Sequence, residues 1–111
     1  MLEDSCGRLL VYISSMSKRK ERLKTVSTAV EKTARMLNLD VEVIALKNVN
    51  VPIYVYYKDG ESEPVPIYCD REREDSTEKV CTALRSMMFV LSFHPKYSAL
   101  RKIRKEIIRF S

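Results

Sequence analysis

The chain has no apolar run approaching the roughly 20 residues that span a bilayer. It has no C-x-x-C pair and a single histidine, His94. Glycine is down to 2 residues and proline to 4, too few for a low-complexity chain. The three cysteines, Cys6, Cys69 and Cys81, are odd in number and widely spaced, poor material for a disulfide framework, and suggest a reducing setting. The opening "MLEDSCGR" carries two early acids and no basic segment leading into an apolar core, unlike a secretory signal. These absences set the expectation of a cytoplasmic protein with no membrane partner. His94 has no cysteine or carboxylate at ligand spacing, and no pair of acid–base or nucleophilic groups stands out, so no metal, cofactor or catalytic residue is assigned.

What is present fits one folded domain over residues 1–111, with 45% hydrophobic and 32% charged residues. The net charge of +5 is unevenly placed. Lys96, Arg101, Lys102, Arg104, Lys105 and Arg109 face Glu106 alone in the last sixteen residues, while the 14 basic and 14 acidic residues before them cancel. Such asymmetry favours an acidic partner.

The pattern reads β-α-β-β-β-α-α, an α/β chain with a four-stranded mixed sheet. "RLLVYIS" (8–14) is a short apolar strand. Ser17 caps a long helix in which Leu23, Val26, Val30, Ala34 and Leu37 form one stripe, ended by Asn38 and Asp40. "VEVIALK" (41–47) is a second, nearly apolar strand, completing a βαβ unit. "IYVYY" and "EPVPIY" are two strands around the turn "KDGE", where Gly60 takes positive φ. Pro64 and Pro66 stand two residues apart, so their missing donors share one side, and the strand belongs at an edge of the sheet. Pro52 precedes its strand. The spacing of Asp75 and Glu78 fits a capping box for a second helix, whose face carries Val80, Cys81, Leu84, Met88 and Leu91 and which stops at His94-Pro95. A third helix from Tyr97 to Phe110 offers Tyr97, Leu100, Ile103, Ile107 and Phe110 as a stripe opposite its basic residues. Tyr54 and Tyr56 share one face of their strand and Val55 and Tyr57 the other, which suggests helices on both sides; core packing ranks ahead of a base-binding platform.

"VPIYVYYKDGE", a proline directly before an apolar strand and a K-D-G-E turn, resembles the thioredoxin-like fold over residues 8–93, and its short glutaredoxin-type members most closely. The resemblance implies that Pro52 occupies the family's proline position, usually cis. It also implies that the loop before the third strand and the start of the first helix form a groove for extended peptide. The chain departs from the family twice. "SSMSK" (14–18) stands where the family's enzymes carry C-x-x-C or C-x-x-S, and serine cannot replace a thiolate nucleophile. The link "KNVN" stands where the family has a helix, and it must step across one strand for the fold to hold.

The leading expectation is therefore a redox-inactive thioredoxin-like adaptor, not an enzyme. Its groove comprises Ser15, Ser17, Val51 and Pro52, with Lys18 and Arg19 favouring an extended or acidic protein ligand. The alternative is a small nucleic-acid-binding protein. It would use the basic patch Arg101, Lys102, Arg104, Lys105 and Arg109 together with the cationic start of the first helix, Lys18 to Lys24. The third helix could instead dock its stripe on the domain, or pair with a partner or a second copy.

Overall fold

The computed structural model describes residues 7–14, 20–47, 52–60, 62–70 and 76–109. Four strands, β1 (Arg8–Ser14), β2 (Asp40–Leu46), β3 (Ile53–Lys58) and β4 (Val65–Asp70), form one mixed sheet in the order β2-β1-β3-β4. The helices are α1 (Lys20–Leu37), α2 (Thr77–Leu91), α3 (Ser98–Lys102) and α4 (Arg104–Arg109), with a 3-10 turn at Pro95–Tyr97.

β1 pairs parallel with β2 and antiparallel with β3, which pairs antiparallel with β4. β3 thus lies on the far side of β1 from β2, and the short link does step across a strand. A run of six residues between Leu46 and Ile53 is long enough, since extended chain covers about 3.3 Å per residue against about 4.8 Å per strand. It is too short to carry a helix of ordinary length. β4 is an edge, as the prolines demand, though it begins at Val65, so Pro64 precedes it and Pro66 lies within it. A bulge beside Pro66 interrupts the β3–β4 register. Cys69, expected just beyond this strand, lies inside it.

α1 ends as its sequence dictates. Asn38 adopts φ +57, and the Leu39 amide donates to the Ala34 carbonyl at 2.8 Å, a left-handed cap closing the last turn. Asp40 then opens β2. α2 is capped by Ser76, whose Oγ accepts from the Lys79 amide at 3.3 Å, and not by the expected Asp75, which lies outside the described residues. Serine is as good an N-cap as aspartate and stands one residue nearer the first helical turn. In the hairpin, Gly60 has φ +56 and the Ser62 amide bonds the Asp59 carbonyl at 3.0 Å.

The core lies between the helices and one face of the sheet. Leu9, Val11, Val55 and Tyr57 meet Val26, Ala29, Val30, Val80, Leu84 and Met88 there, with Leu100 and Ile107 closing it from the C-terminal segment. The third helix expected over Tyr97–Phe110 is broken into the 3-10 turn, α3 and α4. Its kink falls at Ile103, whose amide bonds the Leu100 carbonyl at 3.1 Å, a three-residue step. The stripe docks on the domain: Tyr97, Leu100 and Ile107 are buried and Ile103 packs against the cluster. The expectation of helices on both faces of β3 is corrected. Ile53, Val55 and Tyr57 are buried under the helices, while Tyr54, Tyr56 and Lys58 on the other face remain half-buried, with no described helix over them. Among the described residues no helix is long and apolar enough to cross a membrane.

Candidate functional site

The register brings the groove's two flanks to one end of the sheet. β1 ends at Ser14, paired with Leu46 of β2, and Tyr12 of β1 pairs with Tyr54 of β3. Continued by two residues, that antiparallel register sets Pro52 opposite Ser14. α1 begins at Lys20 beyond the same end. Of the groove residues, Pro52 is described and partly buried; Ser15, Ser17, Lys18, Arg19 and Val51 lie outside the described residues, as does the peptide bond ahead of Pro52. The cap at Ser17 falls there too.

Electrostatics at this end differ from a plain cationic helix start. Arg22, one turn into α1, donates from Nε to Asp70 Oδ2 at 3.1 Å and from Nη2 to Asp70 Oδ1 at 2.6 Å. Tyr68 Oη donates to the same Oδ1 at 2.9 Å. Asp70 pairs across the sheet with Ile53, next to Pro52, so the triad lies at the end of the sheet where β3 begins. Its side chain is 1% exposed and that of Arg22 11%, which makes this an internal ion pair. The bonds to Asp70 raise the Arg22 pKa above its ordinary value. Arg22 therefore leaves the expected basic cluster, since its charge is consumed inside the protein; Lys20 and Lys24 remain exposed.

The C-terminal patch is divided in the same way. Arg101, Lys102, Lys105 and Arg109 are exposed. Arg104 turns inward: its Nε donates to Ser92 Oγ at 3.0 Å, its Nη2 to the Ser92 carbonyl at 2.7 Å, and its guanidinium lies 3.9 Å over the Phe93 ring. It caps the end of α2 and is not available to a phosphate. Across α1–α4 there are twelve Lys/Arg against four Asp/Glu, whereas the strands hold two against three. Among the described strands and helices, the excess of positive charge lies in the helices.

Three features escaped the sequence. Tyr12, Tyr54 and Tyr56 cluster on the sheet face that no described helix covers, with ring centroids 5.2 Å (Tyr12–Tyr56) and 6.4 Å (Tyr54–Tyr56) apart. Alternation along β1 and β3 carried that signal, but only the strand order shows that they adjoin. Met87, Val90 and Phe93 are 39%, 62% and 58% exposed, an apolar stripe on the outer side of α2 and the turn that follows it, which the inner stripe conceals. Val41 and Val43 are 37% and 58% exposed on β2, a nearly apolar strand that lies at an edge of the sheet.

Among the described residues the thiols offer no redox pair. Cys81 is buried with its Sγ 3.6 Å from the Ala29 carbonyl, and Cys69 is half-buried on β4. His94 accepts from the Lys96 amide at 3.1 Å through Nδ1, as the cap of the 3-10 turn. Among the described residues no group of three metal-ligating side chains occurs. No protein-family model matches the chain, and neither a curated protein nor a solved structure matches it.

Proposed function

We propose that the protein is a redox-inactive binding module of thioredoxin-like design, taking an extended, acidic segment of a protein partner where β1 ends and β3 begins. One observation carries this reading: the strand order, with the β2–β3 link stepping across β1, brings the flanks of residues 15–19 and 48–51 to the same end of the sheet. Those flanks are what a thioredoxin-like groove requires. The serines at 14, 15 and 17 remove the thiol chemistry and leave hydroxyl donors beside Lys18, Arg19 and Lys20. Arg22 and Asp70 lock the first turns of α1 to the end of β4.

The test is a titration of the isotopically labelled protein with an acidic, strand-forming peptide alternating Glu with Val. Amide shifts confined to residues 14–20 and 51–54, and lost in Lys18→Glu/Arg19→Glu, are the expected result. Shifts elsewhere, or none at low salt, remove the reading. Disulfide-reductase activity should be absent, and activity abolished by Cys69→Ser would contradict it.

The exposure of Arg101, Lys102, Lys105 and Arg109 favours a second reading, nucleic-acid binding through the helical layer. Affinity for duplex or single strands should then fall steeply with salt. Replacing Arg101, Lys102 and Lys105 by Ala should lower the salt slope by roughly 0.7–0.9 per lost phosphate contact. An affinity indifferent to salt ends that alternative.

A further inference from the structure

The sheet has two outer edges, and they are unequally defended. β4 carries Pro66, a bulge beside it and Pro64 just ahead, three devices that prevent another strand from adding. β2, "DVEVIAL", has none of them. Its register with β1 is unbroken from Arg8–Asp40 to Ser14–Leu46, and among the described residues no strand pairs with its outer side. Alternate residues along it therefore present backbone donors and acceptors that no described strand meets. Val41 and Val43 pair with the core residues Leu9 and Val11 and so lie on the helix-facing side of the sheet, yet they remain 37% and 58% exposed. Charge is the remaining defence, and it is weakened: Arg8 Nη1 holds Glu42 Oε1 at 3.2 Å.

We propose that the outer edge of β2 pairs antiparallel with the same edge of a second copy of this chain, across a twofold axis through Val43, giving one continuous eight-stranded sheet. The charge pattern selects both the occupant and the register. With Val43 opposite its own copy, all seven residues pair; Asp40 meets Leu46, Val41 meets Ala45 and Glu42 meets Ile44, so no acid faces an acid. Centring on Glu42 would set two carboxylates against each other, and centring on Ile44 would lose pairs. The pairing covers Val41 and Val43 on one face and adds Ile44 and Leu46 of the copy to the other. Association through the helical layers is disfavoured by their excess of Lys and Arg, which favours this edge among the described surfaces. The proposed ligand groove lies at the end of the sheet, so the inference stands apart from that reading.

Sedimentation equilibrium on the full chain, from micromolar to submillimolar concentration, should show a monomer–dimer equilibrium. Val43→Lys places two ammonium groups face to face at an exposed position; it should weaken the dimer at least about tenfold with an unchanged circular-dichroism melt. Val43→Cys, in a chain with Cys6→Ser and Cys69→Ser, should oxidise to a disulfide-linked dimer, since opposed Cα atoms of an antiparallel pair lie about 4.5–5.5 Å apart, within the range a disulfide spans. A wild type that is monomeric throughout overturns the proposal, and concentration-independent hydrogen-exchange protection of β2 would then assign the edge to a segment of the same chain. A dimer that persists in Val43→Lys, or that fails to cross-link in the Val43→Cys protein, overturns it equally.

Discussion

Arg22 and Asp70, separated by 48 positions in the chain, hold each other by two hydrogen bonds in a setting from which water is nearly excluded. A bidentate guanidinium–carboxylate pair fixes orientation as well as distance, so the first turns of α1 are pinned to the last residue of β4. Removing one partner leaves the other charged and desolvated. Asp70→Asn should therefore destabilise by about 3–5 kcal/mol in urea unfolding, and Arg22→Lys should recover little of an Arg22→Ala loss because an ammonium cannot span both oxygens. A change below about 1 kcal/mol, the worth of an exposed pair, would show that the pair is solvated. Because the Arg22 pKa is raised in the folded state, its contribution is complete at every pH below the ordinary arginine value and fades only above that range. The pair should give no pH dependence between neutrality and mild alkali.

Thr33 is the opposite case. It is 1% exposed on the inner face of α1, and its Oγ1 has no hydrogen-bond partner among the described residues. A hydroxyl taken out of water without compensation costs about 1–3 kcal/mol. Thr33→Val keeps the shape and the β-branch, so it should raise stability by about 1 kcal/mol, measured as a higher urea midpoint at unchanged m-value. A destabilised Thr33→Val protein would mean that the hydroxyl is bonded after all.

Arg104 should behave unlike its neighbours. Its bonds to Ser92 and its place over Phe93 tie α4 to the end of α2, so Arg104→Ala should cost about 1.5–3 kcal/mol, the range of a hydrogen bond to a charged group. Lys102→Ala and Lys105→Ala should stay within about 0.5 kcal/mol, as exposed substitutions do. A nucleic-acid assay that includes Arg104→Ala would therefore confuse unfolding with lost contact. Equal melts for all three variants would contradict the assignment of Arg104 to the α2 cap.

The same distinction marks what the sequence could and could not disclose. Backbone constraints were legible. Pro66 declared an edge, Gly60 a positive φ, Asn38 the end of α1, and the element order followed from periodicity. Each is a local property of one or two residues. Long-range pairing was not legible: nothing in "KRKERLK" separates Arg22 from Lys20 or Lys24, because its partner Asp70 arrives only when β4 is laid against α1. Arg104 was concealed among four other cations for the same reason. The apolar pattern of β2 did not say where in the sheet it lies, because its place at the edge depends on which neighbour β3 chooses. The kink at Ile103 also went unannounced, since the apolar spacing on either side of it is continuous.

Gly7 supplies the sharpest test of the packing. Its φ is +121, and an added Cβ would lie 2.6 Å from Tyr57 Oη and 2.8 Å from the Lys58 carbonyl oxygen. Two independent penalties follow, one from the backbone conformation, about 1–3 kcal/mol, and one from overlap with a neighbour that cannot rotate away. The Gly7 carbonyl also accepts the Asp40 amide at 3.2 Å, so any shift of this residue is felt where β2 begins. Gly7→Ala should therefore lose more stability than the conformational term alone. Tyr57→Phe in the Gly7→Ala background should restore part of the loss by removing the closest atom, but not all of it, because the Lys58 carbonyl and the positive φ remain. Full recovery in the double variant would place the whole cost on the tyrosine hydroxyl; no recovery would place it on the backbone. Only the intermediate value agrees with both contacts being as close as they are here.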